Sequence, residues 1–367
     1  MKIECTKDNL TDSISIAEKI SGRNLTLPVL NNLLLFAKNG KFYIRSTNLD
    51  LGIEIEIPSK VVSEGVVAVS GSVLYSLIST IYQDKITLEV ISGNLNISTK
   101  SNKAIIKAVP HDDFPTLPTV AKGGKLINIK VGELINGLKS VWYSASISAI
   151  KQELSSVYIY NDDGKFVFVS TDSFRLAEKT ISIDDKVKDF EPILIPLPNI
   201  SEIIRVLEYV GGSIDVNINN NQISFVSDKI YLTSRLINGT FPDYKQIIPK
   251  KQTTEVVVLK QDIVNTLKNT NVFSDQFNQV SLSIDPKRKS FTISSKNENV
   301  GEITNKVDSA ISGESLNINF NHKYISDCFQ SIYSDSISLK FAGLSKPMIV
   351  SGVGDASFFY LVMPMNK

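Results

Sequence analysis

Phe42-Tyr43-Ile44-Arg45-Ser46-Thr47-Asn48 is the stretch that decides how this chain reads, because the chain repeats it. Phe166-Val167-Phe168-Val169-Ser170-Thr171-Asp172 lies 124 residues further on, and a fainter echo, Phe291-Thr292-Ile293-Ser294-Ser295-Lys296-Asn297, another 125. Each has the composition of a β-strand running into a polar turn. A period of about a third of the chain predicts three tandem copies of one domain. A tripled domain points to a scaffold or a ring before it points to an enzyme.

Outward from that strand, each copy keeps the same order. It opens with a short strand and an amphipathic helix. In the first copy Leu10, Ile14, Ala17 and Ile20 recur at spacings of three and four, and Ser21-Gly22 ends the run. The matching helices cover 131–138 and 260–267. A hairpin follows, with Leu33 to Phe36 and Phe42 to Arg45 flanking Lys38-Asn39-Gly40-Lys41, and Val157 to Tyr160 and Phe166 to Val169 flanking Asn161-Asp162-Asp163-Gly164. An alternating strand, Leu51 to Ile57 in the first copy, leads to a second helix at 72–78, 200–207 and 324–329. Three more strands close each copy. Asp113-Phe114-Pro115-Thr116-Leu117-Pro118 ends the first copy, and Thr240-Phe241-Pro242-Asp243-Tyr244 ends the second, one period later. Linkers fall at Val120 to Lys125 and Lys250 to Thr254, giving domains 1–120, 126–250 and 251–367. The fold class is α+β, each copy two helices backed by about six to eight strands.

Composition narrows the partners. The chain has 367 residues, 42% hydrophobic and 21% charged, with a formal net charge of +1. It is not a polycation, so any nucleic-acid contact must come from local charge segregation. Cys5 and Cys328 lie in different copies and read as buried thiols, not a disulfide. Met1-Lys2-Ile3-Glu4 runs straight into a strand pattern with no leader, and no apolar run nears membrane length. The expectation is a cytoplasmic protein.

Catalytic constellations are missing. His111 and His322 have no metal-like spacing, and no Cys-x-x-Cys, phosphate loop or nucleophile elbow occurs, so no metal or cofactor is expected. Gly211-Gly212-Ser213 reads as a turn. The acidic pairs Asp112-Asp113, Asp162-Asp163 and Asp184-Asp185 sit in turn-like contexts, where a carboxylate accepts from nearby backbone N–H groups. Thr171-Asp172 invites a catalytic reading, but its counterpart is Thr47-Asn48, and asparagine cannot act as an acid or base. Both read as turn caps.

Five strings resemble the bacterial DNA polymerase III beta subunit family, the sliding clamps. They are Leu27-Pro28-Val29-Leu30-Asn31-Asn32-Leu33-Leu34, Asp113 to Pro118, Thr171-Asp172-Ser173-Phe174-Arg175-Leu176-Ala177, Phe241-Pro242-Asp243-Tyr244-Lys245 and Val362-Met363-Pro364-Met365, in the family's order across the whole chain. The resemblance implies three DNA-clamp domains closing as a head-to-tail homodimeric ring around double-stranded DNA, with helices lining the hole and sheet on the rim. Such a ring is a non-catalytic processivity factor. Its implied partners are the DNA polymerase III alpha subunit, the clamp-loader ATPase complex and other proteins with a clamp-binding motif, and no membrane.

Site residues follow from the same resemblance. Arg23, just before the Leu27-Pro28 string, matches a DNA-contacting arginine of the family. Lys19, Lys139, Arg205, Lys260 and Lys268 are further candidates for sequence-independent phosphate contacts from the helices. The partner-peptide groove would use Lys151, Leu154, Thr171, Phe174, Arg175, Leu176, Pro242, Ile247, Val362, Met363, Pro364 and Met365. Methionine, proline and aliphatic side chains adapt to several ligands, and a few apolar anchors carry most of the binding energy. At the dimer interface Ile81 and Tyr82 would face Val272 and Phe273. The chain departs from the family at Ser173-Phe174, where Gly-His is common, at Gln246, where arginine is common, and in the tail Asn366-Lys367. Two rivals remain at this level. A DNA-free binding scaffold predicts mixed charge on the inner helix face where a ring predicts an excess of lysine and arginine; a carboxylate-pair hydrolase predicts loss of turnover in Asp172→Asn.

Overall fold

The computed structural model describes residues 1–22, 27–118, 125–183 and 190–365. These form six successive strand–helix–three-strand units, two per copy, with one further strand after the first unit of copies one and three. Copy one runs β1 (Lys2–Thr6), α1 (Lys7–Ile20), β2 (Asn32–Lys38), β3 (Lys41–Thr47), β4 (Leu51–Ile57) and β5 (Ser59–Ser63), then β6 (Gly65–Ser70), α2 (Gly71–Thr80), β7 (Lys85–Ile91), β8 (Asn94–Ser98) and β9 (Lys103–Ile106). Copy two runs β10 (Lys125–Lys130), α3 (Val131–Val141), β11 (Ser156–Asp162), β12 (Lys165–Thr171) and β13 (Arg175–Ser182), then β14 (Ile193–Pro196), α4 (Leu197–Leu207), β15 (Ser213–Ile218), β16 (Gln222–Val226) and β17 (Ile230–Arg235). Copy three runs β18 (Thr254–Leu259), α5 (Lys260–Asn271), β19 (Gln279–Asp285), β20 (Ser290–Asn297), β21 (Gly301–Val307) and β22 (Ser309–Gly313), then β23 (Leu316–Asn321), α6 (His322–Asp327), β24 (Ser336–Phe341), β25 (Met348–Gly352) and β26 (Phe358–Val362). The three quoted repeats are β3, β12 and β20, at the same place in their units.

The helices sit where the periodicity put them, and α1 buries Leu10, Ile14, Ala17 and Ile20 as read. Two hairpins turn as their residues require. Asn39-Gly40 has φ values of 53° and 73°, and Asp163-Gly164 has 51° and 78°. Positive φ at both turn positions matches the twist of the flanking strands, and Asn, Asp and Gly tolerate it best.

Strand number departs from the reading. Among the described residues copies one and three have nine strands each, not six to eight. The extra strands are β5 and β22, each produced by a corner in one extended run. At Pro58 the chain leaves the sheet of β4 for that of β1, and at Asp308 it passes from the partner of β20 to the partner of β18.

Two compact units divide the chain, and they cut across the three copies. The first comprises Met1–Gly132 and Pro198–Leu236, the second Glu133–Leu197 and Ile237–Lys367. Antiparallel pairing between copies is the cause. In the first unit β4 pairs with β17, so one eight-stranded sheet runs β10-β15-β16-β17-β4-β3-β2-β6 beside a five-stranded sheet β5-β1-β7-β8-β9. In the second unit β13 pairs with β26, giving β14-β11-β12-β13-β26-β25-β24-β18-β22 beside the four-stranded β21-β20-β19-β23. The rule is the same both times: the third strand after the first helix of one copy pairs with the last strand of the next copy.

The Phe-Pro strings are docked straps. Phe114 packs with Leu34 and Ala68 in the first unit, and Phe241 with Val167, Leu176 and Leu361 in the second. Cys5 and Cys328 are buried free thiols. Burial pushes the Cys5 thiol up to about 12 and the Cys328 thiol higher still, so neither is a ready nucleophile. No helix among the described residues is long and apolar enough to cross a membrane.

Candidate functional site

The two Thr-Asx turns have the same wiring. Asn48 Oδ1 accepts from the N–H groups of Asp50 (3.0 Å) and Leu51 (2.7 Å), and Asp172 Oδ1 from those of Phe174 (2.9 Å) and Arg175 (3.0 Å). Thr47 Oγ1 donates to the Leu51 carbonyl (2.9 Å) and Thr171 Oγ1 to that of Arg175 (2.6 Å). An asparagine and an aspartate thus do one job, capping a turn. The third turn residue is left-handed in both, Leu49 at φ 79° and Ser173 at φ 78°. A side chain there is strained and glycine is not. Ser173→Gly is therefore expected to stabilise the chain by about 0.5–1 kcal/mol, read from its urea midpoint.

The second turn opens onto the junction of β13 and β26. Arg175 lies opposite Val362 and Leu176 opposite Leu361, and the Met363 N–H donates to the Phe174 carbonyl (2.8 Å). This register brings Thr171, Phe174, Arg175 and Leu176 beside Val362 and Met363. Phe174 is 60% exposed, Ile247, Pro242 and Lys151 are exposed, and Met363, Pro364 and Met365 are half-buried. Leu154, Thr171, Leu176 and Val362 are buried.

Arg175 does not offer its guanidinium to solvent; its side chain is 11% exposed. Nε donates to Asp172 Oδ2 (2.9 Å), Nη1 to Asp327 Oδ2 (2.5 Å), and the group lies 4.6 Å from the Tyr324 ring centroid. Burial works against the charge, but Tyr360, Asp327 and Asp172 outweigh it and hold the pKa above the ordinary value. Asp327 and Tyr324 lie about 150 positions from Arg175 along the chain, and no sequence spacing links them.

The basic candidates divide. Lys19, Lys139 and Lys268 are exposed in the last turns of α1, α3 and α5. Arg205 and Lys260 are already bonded within the chain. Arg205 is paired with Glu202 and donates to the α1 carbonyls of Ser15 (3.2 Å) and Ile16 (3.3 Å), while the Lys260 ammonium donates to the Ile332 carbonyl. Both are committed to protein acceptors. Arg23 and the pair Asp184-Asp185 lie outside the described residues. Lys7, Lys19, Lys139, Arg205, Lys260, Lys268 and Lys323 are balanced by Asp8, Asp12, Glu18, Glu133, Glu202, Asp262 and Asp327, so the six helices carry no excess. On the sheet Glu54 and Glu56 are neutralised by Arg45 (2.6 Å) and Lys41 (2.7 Å). Helix charge therefore does not separate a ring from a generic scaffold; topology and kinship must.

Of the interface candidates, Ile81 faces inward. It is 2% exposed and belongs to its own copy's core, because its position just after α2 turns it inward. Tyr82, next in sequence, is 94% exposed, Val272 is exposed and Phe273 half-buried. Sequence reading missed Ile105, 68% exposed on β9, an edge strand of its sheet, and the exposed Val300 just before β21, an edge strand of the four-stranded sheet.

The described residues thus form six repeated units, with Asn48 and Asp172 as turn caps. The N-terminal, central and C-terminal domains of the DNA polymerase III beta subunit match residues 1–118, 128–243 and 245–366. The chain is 28% identical to the beta sliding clamp of Synechocystis over 391 residues, covering 100% of this chain and 99% of that one, and 25% identical to that of Rickettsia bellii, with 100% of both covered. Its fold superposes on the beta subunit from Thermotoga maritima at a TM-score of 0.93 and 26% identity, covering 100% and 99% of the two chains. The sliding clamp from Bacillus subtilis superposes at 0.95 and 22% identity, with the same coverage. The chain belongs to the DNA polymerase III beta subunit family, and its function is that of a sliding clamp in DNA replication, a processivity factor with no catalytic site.

Proposed function

We propose that two copies of this chain, each of three domains (1–120, 126–250 and 251–367), close head to tail and encircle double-stranded DNA. The observation that carries this reading is the pairing rule. β4 pairs with β17 and β13 with β26, and the third member of the series pairs β21 with β9 of a second chain. Both strands are open edges, and exposed Tyr82 and Ile105 in the first unit and Val272 and Val300 in the second suit burial against a second copy. The ring holds DNA by enclosure, with Lys19, Lys139, Lys268 and Arg23 supplying weak phosphate contacts. The β13–β26 groove docks the apolar anchors of the polymerase III alpha subunit, the clamp loader and other motif-bearing partners, and the site of action is the cytoplasm at the chromosome.

Retention on DNA tests it. Chains loaded on nicked circles by the loader complex are challenged in about 0.5 M salt, where screening extends only a few ångströms. Persistence on circles with loss after linearisation is the expected result; equal release from both would remove the ring.

A further inference from the structure

The segment 237–248 crosses the sheet face at β11–β13 with little backbone support. Its ordered turn is a short 3₁₀ stretch, Tyr244–Ile247, and its backbone bonds include Ile237 N–H to the Leu194 carbonyl (2.9 Å). Side chains hold it down. Phe241 stacks on Tyr158 with ring centroids 4.6 Å apart and planes 3° apart. The Tyr244 hydroxyl donates to Glu178 on β13 and accepts from the Tyr160 hydroxyl on β11 (2.8 Å). Lys245 adds a loose tie, 3.8 Å from Asp162 and 5.4 Å from the Tyr160 ring centroid. The same segment carries Pro242 and Ile247 of the proposed groove, and Tyr244 shares one buried cluster with Leu176 of its floor.

From this we infer that Glu178 and Tyr244 are positioning residues of the partner groove, locking the strap so that Pro242 and Ile247 stand preformed beside Leu176 and Met363. The inference rests on the groove reading and deepens it. Glu178 lies three residues after Arg175 and shares a sheet face with Leu176, so one strand supplies both the floor of the groove and the latch of its wall. The latch is polar and specific where the rest of the strap contact is apolar. Burial raises the pKa of Glu178 and of Tyr244, and for Tyr244 the neighbouring Glu178 adds to it, so the tyrosine remains a donor throughout the physiological range. A strap held in its binding position spares the ligand the cost of ordering it, and releasing the latch lowers the competent fraction and the apparent affinity with it.

The test uses the full-length chain and a fluorescein-labelled eight-residue peptide with two leucines and a phenylalanine. Ile247→Asp, at an exposed position, is the control for the groove itself. Tyr244→Phe keeps the ring and its stacking and removes the hydroxyl, and Glu178→Gln keeps an acceptor for it. The expected result is an affinity about tenfold weaker in Tyr244→Phe, mainly through faster dissociation, with partial retention in Glu178→Gln. Amide exchange should rise across 241–248 and stay at the native level in β11–β13. Peptide binding that is lost in Ile247→Asp but intact in Tyr244→Phe overturns the latch and leaves the groove standing. Exchange that rises equally over the whole sheet also overturns it, since the hydroxyl would then support the fold at large. Binding insensitive to Ile247→Asp, or absent from the native chain, removes the groove and the latch together.

Discussion

Ile105→Glu is expected to leave the chain folded and make it monomeric. The side chain is 68% exposed on edge strand β9, so the substitution breaks no core contact and its cost to folding should fall within about 0.5 kcal/mol. In a closed ring the same position lies where β9 meets β21 of the second chain. A carboxylate enclosed there without a partner costs about 3 kcal/mol or more, which weakens association at least a hundredfold. A head-to-tail dimer has two such contacts, so one substitution strikes both. Sedimentation velocity over a dilution series should show the native chain as a dimer and the variant as a monomer, with retention on circular DNA lost in parallel. Val353→Glu, exposed at the end of β25 and away from both edges, is the control and should behave as native. A dimer as tight in Ile105→Glu as in the native chain would move the closure elsewhere.

What was legible in the sequence was local. The six helices and the two hairpins follow from periodicities of 3.6 and 2 and from Asn-Gly and Asp-Gly chemistry, each written in a short stretch, and the repeat follows from matching short strings. The equivalence of Asn48 and Asp172 was legible too, because the repeat supplied its own control. Long-range pairing was not. Nothing in Leu51 to Ile57 says that it will pair with Ile230 to Arg235 in the next copy, yet that pairing decides why the compact units cut across the repeats. Strands β5 and β22 escaped because they are mostly exposed edge strands without a clean apolar alternation. Basic residues misled for the same reason. Arg205 looks like any solvated helix arginine until the α1 carbonyls beneath it are known. Ile81 and Tyr82 are adjacent and apolar, and only the turn after α2 separates a core residue from an exposed one. Tyr244 lay inside a recognised string, but its partners Glu178 and Tyr160 are 66 and 84 residues away.

Arg175→Ala should be among the most destabilising single changes in the second unit. Asp172 is 14% exposed and Arg175 11%, so removing the guanidinium leaves a largely buried carboxylate without its cation, at a cost of about 3–5 kcal/mol. The stack on Tyr324 is lost as well. The ion pair to Asp327 adds less, because that carboxylate is 42% exposed and water replaces the arginine there. Arg175→Lys should recover part of the loss, since an ammonium cannot reproduce the two-sided fork. Asp172→Asn separates turn from charge. Asn48 caps the equivalent turn, so the backbone bonds should survive while Arg175 loses one partner, and the cost should be about 1–2 kcal/mol. If the pair acts as one element, Asp172→Asn combined with Arg175→Ala will cost clearly less than the two alone, because the second loss strands no charge. Urea unfolding of the four chains measures this directly. Additive losses would mean that Arg175 and Asp172 stabilise the junction of β13 and β26 separately, and that the arginine is held in place by Asp327 and Tyr324 instead.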